Sequence, residues 1–450
     1  MGTHTKSNVA KLVIGASLIA ILATGCGAQN ATNSAQSNSG SPNGETITFW
    51  ADQEAPENYQ AQVWKKVLGK FKQQTGITVK YQMIPWSDLW QKILGAVSSG
   101  NGPDVVAMGN TWASTLAATG GFVQLTPDKV QQIGGSSKFI PACFVVTGLA
   151  GHSPIAVPYL AEADALYYNK QMFQDAGIGK PPTTWSEFVA DAQKLTKNGV
   201  YGFGTDGASV TDNAHIFFDL LNQNGGSFFD NNGKPALTST ASTKAASFFA
   251  DLRSKYKVMA PDSAEWNDSD VVAAFAHKKI AMMIMQDGYM TQLKQDGMND
   301  SEYGVAPIPM IPYGLTKLPA GGSMTGSHVA GIDVGILKSS KHLQADLKFL
   351  KYITDPQTQI TLCKAFNLLP VNPDAYKDPA FQSPKIKVFE DILRNHAKPT
   401  PLVNNYGQVE QIIGTHIKNI LSAAAQNKLQ PNTVTKELSQ ANQEVASISQ

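Results

Sequence analysis

Between two apolar runs, Ile155–Val157 and Ala165–Tyr168, stand Tyr159, Glu162 and Asp164. An aromatic ring and two carboxylates on a short connection between buried strands can meet a small polar ligand, because such sites favour strand ends and domain junctions. Similar groups recur wherever another strand reading ends. Trp50, Asp52 and Glu54 follow the run from Ile47, Trp86 follows Ile77–Ile84, and Asn110 and Trp112 follow Asp104–Met108. Further on, Asp206 closes the run from Tyr201, and Asp287 and Tyr289 close Ile280–Met285. Trp266 and Gly322 lie in loops, and Tyr406 comes just before the last strongly apolar helix pattern. The same types have plainer uses. Carboxylates cap helices and fill turns, tyrosines brace hinges, tryptophans pack, and a Gly-Gly pair makes a turn.

The elements that must carry these groups read as strands alternating with helices. Val63, Val67, Leu68 and Phe71 share one helix face and Gly76 is the stop; Leu89, Ile93 and Val97 mark a second helix. That alternation predicts a parallel sheet with helices on its faces and ligands beyond the carboxyl ends of the strands. Thr184-Trp185-Ser186-Glu187 predicts a capping box opening a helix, and Pro158 predicts the end of a strand ladder. Trp64 and Trp90 in helices, and Trp185 at a helix start, read as packing residues. Gly202, Gly204 and Gly207 spell G-x-G-x-x-G but follow a helix, outside any cofactor unit of strand, turn and helix, so no nucleotide and no other cofactor is expected. The histidines are scattered, and His416 on an apolar helix face reads as a core residue with no metal.

A chain of 450 residues calls for two or three domains. Its formal charge is +1, and with the two lysines before Cys26 removed it is 1 − 2 = −1. Mixed charges so near balance offer no footprint for a nucleic acid or an anionic membrane. Lys6 and Lys11, then the apolar run Leu12–Leu22, predict an export signal over residues 1–25; the run is too short to span a bilayer. Ala23-Thr24-Gly25-Cys26 resembles the lipobox of bacterial lipoproteins, in which the cysteine is acylated, although Ala23 stands where a larger aliphatic residue is commoner. Residues 26–44, small and uncharged, predict a flexible tether. Cys143 and Cys363 are expected to be buried free thiols.

Several ordered blocks carry a wider resemblance: ITFW near the mature start, KVLGKFKQQTGITVKYQ, GPDVVAMGNTW, IAVPY with ALYYNKQMF, PPTTWSEF, YGFGTDG, AFAHKKIAMMIMQDGYM, and YGVAPIP leading to FLKYITDPQTQ. In their order and spacing the chain resembles an extracellular solute-binding protein of the carbohydrate type, similar to the maltose-binding proteins. The resemblance implies an α/β fold of two Rossmann-like lobes with a hinge, of the periplasmic-binding-protein-like type II, with discontinuous domains. Lobe 1 would take 45–157 and 308–355, lobe 2 158–307 and 356–450. It implies a lipid-anchored monomer, no enzyme, facing the outside of the cell, which hands a sugar to the permease subunits of an ABC importer. By position, Trp50 to Glu54 and Glu162 would present acidic groups to sugar hydroxyls, and Trp112, Tyr289 and Tyr406 would stack. Tyr289 and Tyr406 stand where Trp is commoner. The chemistry suits the task, since aromatic faces cover the C–H faces of a pyranose and carboxylates accept its rim hydroxyls. A surface glycosidase pairing Asp52 with Glu162, or the same fold binding a glycerol phosphate ester, are the alternatives.

Overall fold

The computed structural model describes residues 44–448. The expected signal, Cys26 and the tether up to Asn43 lie outside the described residues.

The first sheet collects strands from distant parts of the chain in the order β2-β1-β3-β9-β4. β1 (Thr46–Asp52) pairs in parallel with β2 (Thr78–Ile84) and β3 (Val105–Gly109). Helices α1 (Glu57–Thr75) and α2 (Trp86–Ser99) make the crossovers. Both stop at a glycine in the left-handed region, Gly76 at φ 73° and Gly100 at φ 66°, a conformation that only glycine adopts without strain. Short helices α3 (Ala113–Ala118), α4 (Pro127–Ile133) and α5 (Pro141–Val145) lead to β4 (Ala156–Glu162).

Pro158 does not end that ladder. β4 runs on to Glu162 through a register shift between Pro158 and Leu160, an irregularity that accommodates a residue without an N–H. Only Ala163 separates β4 from β5 (Asp164–Asn169), which belongs to the second sheet. In that sheet β5 lies between β6 (Met282–Gln286) and β7 (Tyr303–Ala306), antiparallel to both. The expectation of parallel pairing therefore holds for β1–β3 and fails here, because each strand that crosses between sheets enters running the opposite way. β9 (Ala330–Ile336), the return crossing, is likewise antiparallel to β3 and β4. Tyr201–Gly204 contributes isolated bridges to Ile280, Met259 and Met283 in place of the expected strand.

Around the second sheet stand α6 (Lys170–Asp175), α7 (Trp185–Leu195), α8 (Val210–Gln223), α9 (Thr240–Ser254), α10 (Asp268–Ala276) and α11 (Met290–Gln295). The Thr184/Glu187 capping box of α7 forms as expected, and Asn267 with Asp270 makes another on α10. A two-stranded ribbon pairs β8 (Ser327–His328) with β10 (Ala397–Lys398). α12 (Leu343–Ile353) packs on α4 and β9, and α13 (Pro356–Phe366) on α1 and β4. α13 thus sits with the first sheet, beyond the boundary expected at residue 355. α14 (Pro384–Asp391) packs on β5 and β7, while α15 (Tyr406–Ala425) and α16 (Thr433–Ile448) complete a bundle with α8 and α9. The loop around Gly322 lies against the end of α8, so residues 311–322 also pack with the second unit.

One apolar core runs from Phe49, Trp64 and Phe71 under the first sheet through Tyr159 and Ala163 to Phe275 and Tyr303 under the second. A second core fills the α8–α9–α15–α16 bundle, and a smaller one backs α2 and β3. Cys143 and Cys363 are buried free thiols. Among the described residues, no helix is long and apolar enough to cross a membrane.

Candidate functional site

A cavity of about 710 Å³ opens between the two sheets, beside the β4–β5 crossing. From the first unit the loop after β1 brings Gln53 and Glu54, α1 brings Tyr59, and the first residue of α2 brings Trp86. From the second, the last residue of β6 is Gln286, the turn after it brings Gly288 and Tyr289, and α11 brings Gln292 and Gln295. Glu162, the last residue of β4, stands where the two meet.

The aromatic wall is braced from behind. Trp86 is 37% exposed, and its ring meets Trp112 edge-on at 5.5 Å, which in turn meets Trp90 at 5.3 Å. Such packing holds an indole face toward the opening at little further cost in side-chain entropy. Across the cavity the Tyr289 hydroxyl donates to Asp268, the first residue of α10. Burial, and then that carboxylate, push the Tyr289 phenol far above its usual range, so it stays a neutral hydrogen-bonding ring.

The floor is acidic. Asp287 is fully buried; its Oδ1 accepts the Ala163 N–H at 3.1 Å, which ties the β6 turn to the crossing, and its Oδ2 has no partner in the protein. Buried Asp52 and Glu54 stand within hydrogen-bonding reach of each other, so that one proton can be shared between the two carboxyls. Burial raises all three carboxyls, and the charges of Asp52, Glu162 and Asp287 raise Glu54 further. Glu162 is pushed up to about 7, by burial first and then by Asp164, Asp52 and Asp212. Buried carboxyls clustered in this way share protons readily and meet hydroxyl donors well.

Beside this floor lies a polar knot. Asp206 and Asp164 line a small hollow with Asp212 and His215. His215 stacks on His328 with ring centroids 3.6 Å apart. Burial opposes the His215 charge, but the Asp212 and Glu410 carboxylates outweigh it and lift His215 to about 10. His328, hydrogen-bonded through Nδ1 to Asp164 at 3.1 Å, is held below its usual range by burial and by the His215 charge. The pair thus carries one proton more than two neutral rings, locked between carboxylates. Oxygens of Asp206, Asp212 and Asp268 lie within 4.8 Å of one another.

Of the residues expected from sequence, Glu54, Trp86, Glu162 and Tyr289 line the cavity, Asp52 and Asp287 lie within electrostatic reach of it, and Trp112 braces it. The remainder are placed elsewhere. Tyr159 is in the core beside Trp64, because the continued strand turns its ring inward. Tyr406 is buried in the helical bundle. Gly322 lets a turn approach the α8 carbonyl of Gln223, which a Cβ would meet at 2.7 Å. Asn110 donates to the Val329 carbonyl at 2.8 Å, pinning the loop after β3 to the return crossing. Trp50 packs on the core behind β3, and Trp266 packs over Gly204. The glutamines and Tyr59 escaped sequence reading because they sit on helix faces or turns where polar residues are ordinary.

Residues 53–360 match the family of bacterial extracellular solute-binding proteins. The chain belongs to that family. It is 25% identical over 370 residues to the diacetylchitobiose binding protein DasA of Streptomyces coelicolor, covering 80% of this chain and 81% of that one. Among solved structures it is similar to an ABC transporter solute-binding protein of Thermotoga lettingae bound with α-D-tagatose, at a TM-score of 0.74 and 22% identity over 90% of this chain and 100% of that one. It is similar too to UgpB of Mycobacterium tuberculosis, solved with glycerophosphocholine, at a TM-score of 0.71 and 22% identity over 90% and 98%. The fold is the two-lobe, type II α/β fold of these binding proteins. The cavity described above is lined from both lobes of that fold.

Proposed function

We propose that this solute-binding protein captures a carbohydrate in the cleft between its lobes and delivers it, as a lipid-anchored monomer held through Cys26 on the outer face of the membrane, to the permease of an ABC importer. The observation that carries the reading is the lining of the cleft. A braced indole, Trp86, faces the opening along with Tyr289, and carboxyls and glutamine amides surround them, which is the set a sugar ring requires. Because ligand would touch both lobes, it favours the closed state by its differential affinity. Micromolar binding, about −8 kcal/mol, is within reach of one or two covered rings and several hydrogen bonds. Glycerol phosphate esters suit the cleft less well. Among the described residues lining it there is no Arg or Lys, and the acidic floor repels a phosphate. Hydrolysis is not part of the proposal; incubation with oligosaccharides should release no reducing ends. Titration of the protein with a panel of mono- and oligosaccharides, read by tryptophan fluorescence, should give saturable binding. A panel that shifts neither fluorescence nor melting temperature overturns the reading.

A further inference from the structure

Charge in the cleft is one-sided. Glu54 and Glu162 line the cavity, and Asp52 and Asp287 act on them from within Coulombic reach. No Lys, Arg or His is found among the described residues that line it. The histidines of the neighbouring knot are already engaged, His215 by Glu410 at 2.8 Å and by Asp212, His328 by Asp164. Asp287 Oδ2 is buried without a partner in the protein, and the buried carboxyls of Asp52 and Glu54 are paired carboxyl to carboxyl, with no cation between them. Asp52 and Asp287 are wholly inaccessible. A ligand with hydroxyls alone can donate hydrogen bonds to Glu54 and Glu162 at the cavity wall but does not offset the acidic groups buried behind them. A cationic group does both. Around the floor, the amides of Gln53, Gln286 and Gln295 can meet neutral hydroxyls, while that of Gln292 is already bonded to Ser269, and the Trp86 face suits a ring bearing a positive charge.

We propose that the ligand of this cleft is a carbohydrate carrying a protonated amine, an amino sugar or a short oligosaccharide of amino sugars, whose ammonium is held between Glu54 and Glu162 in the field of Asp52 and Asp287. The inference rests on the carbohydrate reading above and narrows it to a class. An ammonium at this position favours the ionised carboxylates, so binding near pH 7 expels a proton from the acidic set. Glu162, faced by Asp52, Glu54, Asp164, Asp212, Asp287 and the Tyr289 phenol, is the member held near that pH.

The test is calorimetric titration of the full folded protein with matched ligands differing at one substituent. Glucosamine is compared with glucose and galactosamine with galactose, and the β-1,4-linked disaccharide of glucosamine with its N-acetylated form and with cellobiose. The expected result is binding of an amine member roughly tenfold or more tighter than its neutral counterparts. Its apparent heat should change with the ionisation enthalpy of the buffer, as proton release requires. In Glu162→Gln the ratio between amine and neutral partners should collapse toward one, a readout that general loss of folding does not imitate. A neutral sugar that binds as tightly as or more tightly than its amine counterpart overturns this inference and leaves the carbohydrate reading standing. Absence of binding by every sugar in the set and in the wider panel overturns both.

Discussion

At the scale of single residues, the cleft divides into side chains that touch a ligand and side chains that hold them. Under the proposed function Trp86, which lines the cavity, is of the first kind, and Trp112, packed behind it, of the second. Trp86→Ala should weaken sugar binding by about 10- to 100-fold, the loss expected for an exposed aromatic face covered on binding. Isothermal titration checks it, with an unchanged melting temperature as control because the indole is partly open in the free protein. The carboxyls make a second prediction, about pH. Glu162 moves from 4.5 to about 7 on folding and Asp346 from 3.8 to about 7. The folded chain therefore holds protons that the unfolded chain has released, and stability falls as pH climbs from about 4 through 7. His215, lifted from 6.5 to about 10, extends the loss above pH 6.5. His328, held low, works the other way as pH falls below 6.5, and Asp212, held low, does so only below 3.8. The raised carboxyls outnumber these, so the ligand-free protein should melt about 5 °C higher at pH 5 than at pH 8, measured by calorimetry. A melting temperature that rises over that interval contradicts the acidic floor as described.

At the scale of elements, much was legible because local rules agree with the fold. Gly76 ends α1 and Thr184 with Glu187 opens α7, each by the mechanism its residue types announce. Pro158 misled for a physical reason. A proline stops a ladder only where its missing N–H is needed, and here the register shift removes that need. One consequence follows directly for Tyr159, whose ring faces the core. Helices α8, α9 and α16 were not legible as members of one bundle, since their partner faces come from segments far apart in the chain, 195 residues in the His215–Glu410 pair. The G-x-G-x-x-G glycines show the same lesson. A Cβ at Gly202 would lie 2.3 Å from the Ala192 carbonyl oxygen, and one at Gly207 2.6 Å from the Ala264 backbone. These are packing glycines, and Gly202→Ala should destabilise the second lobe by roughly 2–4 kcal/mol or prevent soluble expression. Chemical denaturation of the purified variant measures it. Stability within about 0.5 kcal/mol of the parent would show that the contact yields.

At the scale of the whole molecule, the chain passes between two sheets at Ala163 and again on the way to β8 and β9, and the cleft lies beside the first of these passages. The Asp287–Ala163 hydrogen bond ties one lobe's turn to that passage. α15 of the second lobe also touches α3 and the Asn110–Trp112 turn of the first, so the lobes meet across the cleft near the tryptophan that braces Trp86. A ligand bridging Glu54 and Trp86 on one side with Tyr289 on the other must act on this relation between lobes. The most direct measurement is small-angle X-ray scattering of the protein alone and at saturating sugar, the ligand having been chosen from the titration panel. Capture between the lobes predicts a smaller radius of gyration with sugar bound, and loss of that change in Trp86→Ala at the same sugar concentration. An identical scattering profile with and without a ligand that demonstrably binds would contradict it.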